Sequence, residues 1–389
     1  MFKRSSGVLA HVTSLPSPHG VGTMGKTARD FVDFLAAAHQ TYWQVLPLGH
    51  TGFGDSPYQC FSAAAGNPYL IDMDLLVEDG LLTADEVRQG DFNASADTAD
   101  FEQLADTRWP LFRKAYSRVT PEMREEIAAF TEKNSEWLPD YALFMALKEE
   151  KYHHMPVYMW PDKDVRDRKP AALEKVTAEL RDEVDFRIFL QYIFFKQWTA
   201  LREYANEKGI QIIGDIPIYV SADSSDVWTH PKLFKLKPDR SPKLVAGVPP
   251  DYYSATGQLW GNPVYNWAAH KAENYAWWIW RMKSNMALFD VVRLDHFRGF
   301  AAYWEVGADE ETAINGKWRK GPGMELFNAI EKALGPVPLI AEDLGVQTDE
   351  VKELLEESGF PGMRVLIFGF TPDYDNEHLP HNYKPNSIV

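Results

Sequence analysis

Six short apolar segments separated by helix-forming stretches constrain this chain more than any other feature of its sequence. Residues 7–15, 42–48, 210–220, 290–297, 337–344 and 363–370 each read as a near-continuous strand, rich in Val, Ile, Leu and aromatic residues. Strands without polar alternation are buried on both faces, and in parallel sheets helices supply that cover. The segments between them fit. Residues 27–39 place Phe31, Phe34 and Leu35 on one helical face. Residues 185–208 do the same with Phe186, Phe189, Leu190, Ile193, Phe194, Leu201 and Tyr204, and Gly209 follows as the residue that ends such a helix. Residues 323–334 and 349–358 repeat the pattern, with Thr348 and Asp349 as N-cap candidates. The chain is therefore expected to be α/β, and its 389 residues suit one large barrel with insertions.

Two connections are too long for a simple crossover. The stretch 49–209 holds an acidic, helix-forming region at 72–185, read as an inserted helical subdomain. The stretch 221–289 is rich in Trp, Tyr, Pro and Gly; a structureless connection of that length is usually functional. The expected organisation is strands one and two in 1–71, the helical insert in 72–185, and strands three to six in 186–389 with an aromatic lid at 221–289.

Several function classes fall away. Cys60 is the only cysteine, which excludes internal disulfides, cysteine-based zinc sites and iron–sulfur clusters, and favours a reducing compartment. A net charge of −16 suits neither nucleic acid nor any other phosphate polymer. Lys3 and Arg4 are not followed by the apolar core of a signal peptide, and no apolar run approaches ~18 residues, so a soluble cytoplasmic protein is expected. The glycines of 49–54 lack the Lys-Ser/Thr of a phosphate loop, and His153 and His154, being adjacent, do not share a helix face. No metal or cofactor is expected. The chain carries 13 Trp, 17 Tyr and 22 Phe, and those in turn-rich segments suit stacking on sugar rings.

Alternate residues of a barrel strand point inward. Arg293 and Asp295 share one parity, Val292 and Leu294 the other, and Asp295 closes the strand at its C-terminal end, where barrel active sites lie. Glu342 stands in the same relation to Ile340, and Asp215 follows the run 210–214. Each acid taken alone reads equally well as a cap or an ion pair. Three placed alike, with Arg293 beside them, point to chemistry. A pair of carboxylates at such a mouth suits glycoside cleavage, with one as nucleophile and one as acid/base ~5–5.5 Å away in a retaining mechanism. Arg293 is expected to keep Asp295 ionised, and Asp343 with bound sugar to raise the pKa of Glu342.

At these residues the sequence closely resembles the 4-α-glucanotransferases (amylomaltases, or disproportionating enzymes) of glycoside hydrolase family 77. The resembling segments run RSSGVLAHVTSL (4–15), QVLPLGHTGFGDSPYQCFSAAAGNPYL (44–70), GDIPIYVS (214–221), GVPPDYYSATGQLWGNPVYNW (247–267), VRLDHFRG (292–299) and LIAEDLG (339–345). The resemblance implies a TIM-type (β/α)8 barrel of the α-amylase clan, with Asp295 as nucleophile, Glu342 as acid/base and Arg293 holding the nucleophile. It implies Asp215 as a barrel-mouth aspartate, Ser56 and Tyr58 as donor-side sugar contacts, and Asp251, Gln258, Trp260 and Asn262 in a mobile lid with Tyr252 and Tyr253 at its tip. His296 and Asp343 are expected in or directly behind the sugar-contacting layer. The implied partners are maltooligosaccharides and other 1,4-α-glucans. The family's seventh strand ends in a His-Asp pair that supplies a third catalytic carboxylate. Here the chain stops at Ile388–Val389, where that strand is due, so the barrel is expected to be truncated after the sixth strand. Asp373, Asp375, His378 and His381 do not match the pair and read as solvated.

The expected activity is retaining transfer of a glucan segment to the 4-OH of an acceptor. Two alternatives stay open at this stage: an α-amylase-like hydrolase, and a glucan-binding chain left inactive by the absent carboxylate.

Overall fold

The computed structural model describes residues 3–92, 98–252 and 254–389, without the side chain of Phe53. Contacts gather the chain into two compact units, one of Ser5–Ile212 with Asp223–Thr229, the other built from Ile213–Ala222 and His230–Val389.

In the first unit, β1 (Gly7–Leu9) and β2 (Tyr42–Gln44) pair in parallel, Val8 opposite Trp43. Both are shorter than the sequence suggests. The first gives way to a 3-10 turn at Val12–Ser14, closed by the Leu15 N–H on the Val12 carbonyl. The helix Lys26–Ala37 joins them and buries Ala28, Val32 and Leu35. The stretch read as a helical insert holds a run of helices from Met73–Glu78 to Pro170–Glu179. Asp72, Thr83, Asp100, Thr120 and Asp162 cap its members by accepting N–H groups of their first turns. Its expected end at 185 falls inside one continuous helix, Arg181–Glu207, whose buried residues form the spine of this unit. That helix stops at Gly209, whose φ of 79° only glycine adopts without strain.

β3 (Gln211–Ile216) begins in the first unit and ends in the second. The remaining strands are β4 (Leu244–Val248), β5 (Gln258–Pro263), β6 (Val291–Leu294), β7 (Ala302–Gly307), β8 (Lys317–Lys320), β9 (Leu339–Ala341), β10 (Gly362–Met363) and β11 (Ser387–Ile388). Within the second unit β3, β6 and β9 are parallel neighbours in that order, with Asp215 opposite Arg293 and Arg293 opposite Ile340. The helices Ala276–Leu288 and Met324–Leu334 connect them. Gly214 lets the β3 backbone approach the Phe289 ring, where a Cβ would sit 2.1 Å from it.

Two expectations are corrected here. The aromatic stretch 221–289 is not structureless: β4 and β5 form an antiparallel pair inside a four-stranded sheet ordered β5-β4-β7-β8. Val245, Val306 and Ala313 form a small core beneath it. The sixth strand ends at Met363 instead of running to Phe370. Arg364 turns its side chain inward to Asp343, the Val365 N–H is taken by His378 Nδ1, and residues 366–369 close into a 3-10 turn. Ile367 and Phe370 consequently stay 71% and 80% exposed. His378, expected in solvent, is half-buried by the same bond. Among the described residues no helix is long and apolar enough to cross a membrane.

Candidate active site

The parallel register of the second unit sets the site. Asp215 and Arg293 are cross-strand partners, and both side chains emerge from the same face. The next link places Leu294 opposite Ala341, so Asp295 and Glu342 follow at one level as the strands end. Backbone bonds continue the ladder there: Asp295 donates its N–H to the Ile216 carbonyl and Glu342 donates to that of Leu294, both at 3.0 Å.

One guanidinium nitrogen ties the acids together. Arg293 Nη1 donates to Asp215 Oδ1 at 2.8 Å and to Asp295 Oδ1 at 3.0 Å. Asp215 is 1% exposed at its side chain and Asp295 27%, so Asp215 lies behind the cation and Asp295 opens outward. Burial by itself would lower the Arg293 pKa; the charges of Asp215 and Asp295 outweigh it, and the net shift is upward. The cation is permanent.

Asp295 does not sit in the ordinary carboxylate range. Burial, and then the like charge of Asp215, push it up to about 6 against the opposing pull of Arg293. Arg293 favours the ionised form of Asp295, the direction expected of it, but its charge is shared with a second, more deeply buried carboxylate. Glu342 is also raised, by burial first and by the charge of Asp295 second. Asp343, expected to do that work, faces elsewhere. It is 2% exposed, and its oxygens accept the Met363 N–H at 2.7 Å and Arg364 Nη1 at 2.9 Å. Glu342 is held by two backbone donors, His296 N–H on Oε2 and Leu344 N–H on Oε1, each at 2.8 Å. His296 takes a left-handed φ of 51°, a conformation rare outside glycine. Burial lowers its ring pKa to about 3, so the imidazole is neutral.

The other expected site residues divide. Trp260 stands edge-on to His296 with ring centroids 4.9 Å apart, and donates its indole N–H to Gln258 Oε1. Asn262 is 5% exposed, with its amide donated to the Val220 carbonyl, so it anchors β5. Asp251 and Tyr252 are exposed, Tyr252 at 98%; the Asp251 carboxylate accepts the Ser254 N–H and shapes that turn. Tyr253 lies outside the described residues. Ser56 and Tyr58 belong to the first unit, half-buried, with Ser56 Oγ accepting the Tyr58 N–H. Sequence reasoning missed Met363, whose sulfur meets Arg293 Nε at 3.4 Å. Only the register of β10 brings it there, and nothing in the local sequence signals it.

Among the described residues one group offers metal-ligand geometry: His19, Asp72 and Asp74 bring ligand atoms within 4.8 Å of one another. Asp72 is already engaged, capping Leu75 through one oxygen and accepting Thr23 Oγ1 with the other. The buried Arg108 faces the same carboxylate and opposes a further cation.

The family model described as 4-alpha-glucanotransferase, glycoside hydrolase family 77, matches residues 10–389. The 4-alpha-glucanotransferase of Clostridium butyricum is 48% identical over 380 residues, covering 97% of this chain and 78% of that protein. That of Thermus thermophilus is 49% identical over 390 residues, covering 99% and 77%. Among solved structures, an amylomaltase from Streptococcus agalactiae in complex with acarbose superposes with a TM-score of 0.96 at 46% identity, covering 99% of this chain and 78% of that one. An amylomaltase from Corynebacterium glutamicum shares the fold at a TM-score of 0.79 and 20% identity, over 98% of this chain and 54% of that one. With a matched family model over nearly its whole length and relatives at almost half identity, the chain belongs to the 4-alpha-glucanotransferases of glycoside hydrolase family 77.

Proposed function

We propose that this chain transfers a segment of a 1,4-α-glucan to the 4-OH of an acceptor glucan or glucose, with retention, through a covalent glycosyl-enzyme. The observation that carries the mechanism is the pair of hydrogen bonds that Arg293 Nη1 donates to Asp215 and Asp295. It supports Asp295 as nucleophile: an ionised carboxylate on the more open side of the Arg293 cation, where it can reach C1. Asp295 attacks as Glu342 donates its proton to the leaving oxygen; the C1–O4 bond breaks and a C1–O bond to Asp295 forms. The raised pKa of Glu342 supports it in the acid role, and the negative charge of Asp295 is part of the reason for that rise. Once Asp295 is glycosylated its charge is gone, and the pKa of Glu342 falls. The carboxylate then takes the proton of the acceptor 4-OH, which attacks C1 and releases Asp295. Arg293 and Asp215 are positioning residues for the nucleophile.

Trp260 and His296 form an aromatic corner suited to a sugar face. We assign sugar contacts also to Ser56, Tyr58, Asp251, Tyr252 and Gln258, and a maltooligosaccharide as substrate, in line with the acarbose bound by the Streptococcus amylomaltase. The parallel strands with intervening helices support reading the chain as a TIM-type barrel. The single cysteine supports a cytoplasmic setting.

Incubation with maltotriose tests the activity. Transfer produces a ladder of maltodextrins plus glucose with constant total reducing ends. A rise in reducing ends supports hydrolysis instead, and binding of maltodextrin without a ladder supports an inactive binder.

A further inference from the structure

The bridging of two acids by one nitrogen of Arg293 demands that the guanidinium hold a fixed roll about its long axis. A guanidinium is a rigid planar fork, so the direction of Nε–H determines where Nη1 points. In this chain Nε–H meets the Met363 sulfur at 3.4 Å. We propose that Met363 is a positioning residue of the active site, its thioether orienting Arg293 so that Nη1 faces Asp215 and Asp295 together. This inference rests on the assignment of Asp295 as nucleophile.

The choice of sulfur has a physical logic. A carboxylate at that place would take a share of the cation's charge away from Asp295. An aliphatic group would leave a buried donor without an acceptor and the fork free to turn. A thioether accepts weakly, is neutral, and fills the space of an aliphatic side chain.

Met363 is itself placed by groups that come from the site's own strands. Its N–H is held by Asp343 Oδ1 at 2.7 Å, and Asp343 follows Glu342 directly. Arg364 Nη1 takes the other Asp343 oxygen at 2.9 Å, and the Arg364 N–H donates to the Ile388 carbonyl at 2.7 Å. Gly362 admits the carboxylate, since a Cβ there would stand 2.8 Å from it. The residue after the acid/base thus fixes the strand whose sulfur orients the arginine of the nucleophile.

The charged groups facing Asp295 are Asp215 from β3, Arg293 from β6 and Glu342 from the end of β9; the neutral His296 completes the surround. The test follows the titration of the Asp295 side-chain carboxyl by 13C NMR in the whole chain, with Asp295→Asn to assign the signal. Met363→Leu keeps the volume and removes the acceptor; Met363→Gln restores an acceptor oxygen. The expected result is a midpoint at least about half a pH unit higher in Met363→Leu and close to wild type in Met363→Gln, since a half-unit corresponds to a threefold loss of preference for the ionised form. In maltotriose transfer, kcat should fall about three- to tenfold in Met363→Leu with KM within about twofold, and recover in Met363→Gln. An unmoved midpoint in Met363→Leu, or the same shift in both variants, overturns the proposal, as does a loss of kcat without a shift. Full transfer activity in Asp295→Asn would instead overturn the assignment of the nucleophile, so the two failures are distinct.

Discussion

His296 donates its backbone N–H to Glu342 Oε2 at 2.8 Å, so the residue that follows one candidate catalytic carboxylate holds the other. The left-handed turn at His296 aims that N–H across from the end of β6 to the end of β9. Glu342 is thereby fixed by main-chain donors on both oxygens, and an isosteric amide keeps one of these bonds while its NH2 faces the other N–H. Glu342→Gln is expected to lower maltotriose transfer at least about 100-fold, the scale of a lost general acid. A maltosyl fluoride donor, whose leaving group needs no proton, should recover formation of the glycosyl-enzyme. Mass spectrometry of the trapped covalent species checks this, and equal impairment with both donors would remove Glu342 from the acid role.

The pH profile should carry the mark of Asp295. It acts ionised and titrates at about 6, so kcat/KM is expected to fall about tenfold per unit as the pH drops below about 6. Asp215→Asn removes the like charge that raises Asp295 and leaves Arg293 to it alone, so the acid limb should move to lower pH whatever the absolute rate. The limb position in maltodextrin disproportionation decides the point.

Asp295 should be costly to the fold where it is useful to the reaction. Its pKa in the folded chain exceeds the ordinary 3.8, so the native state disfavours the ionised form. That cost is absent below about pH 4, grows between about 4 and 6, and is complete above about 6. Asp295→Asn is therefore expected to be inactive yet more stable than wild type by about 2 kcal/mol at pH 8, with the gap closing at pH 4. Urea unfolding at the two values measures it, and a gap independent of pH would contradict the upward shift.

Asp343 should behave in the opposite way. Its buried carboxylate joins Met363 and Arg364, and removing it leaves the Arg364 guanidinium, 6% exposed, with the half-open Glu377 as its remaining charge partner and the Met363 N–H without an acceptor. Asp343→Ala is expected to cost about 3 kcal/mol of stability, as losses of one member of a buried pair do. Chemical denaturation reads this. Unaltered stability with weakened maltodextrin binding would return Asp343 to the sugar-contacting role its sequence position implies.

Much of the site was legible before the fold. Arg293 and Asp295 share a parity because side chains alternate along any strand, and their position at a strand end follows from the polar residues that stop the apolar run. Asp215 and Glu342 were found by the same rule. Asp343 shows where the rule stops. Adjacency to Glu342 suggested a joint electrostatic role, but adjacent residues at a strand end face opposite ways, and Asp343 faces the packing side. The lid was misread for a related reason: 244–248 and 258–263 are strands because they pair with each other, and 244–248 pairs on its other side with β7, more than fifty residues further on. The sixth strand was overextended because apolarity by itself does not report that Arg364 turns inward and breaks the ladder.

Sequence alone determined the alternation of helix and strand, the family, and which carboxylates stand at strand ends, since periodicity and motif are local properties of the chain. The tertiary structure decided the electrostatics. The rise of Asp295 to about 6, the sharing of one arginine nitrogen between two acids, and the sulfur behind that arginine depend on the register of β3 against β6 and on where β10 comes to lie. Charge interactions fall off with distance and grow with burial, and neither distance nor burial between residues 78 or 70 positions apart is written in the order of the chain.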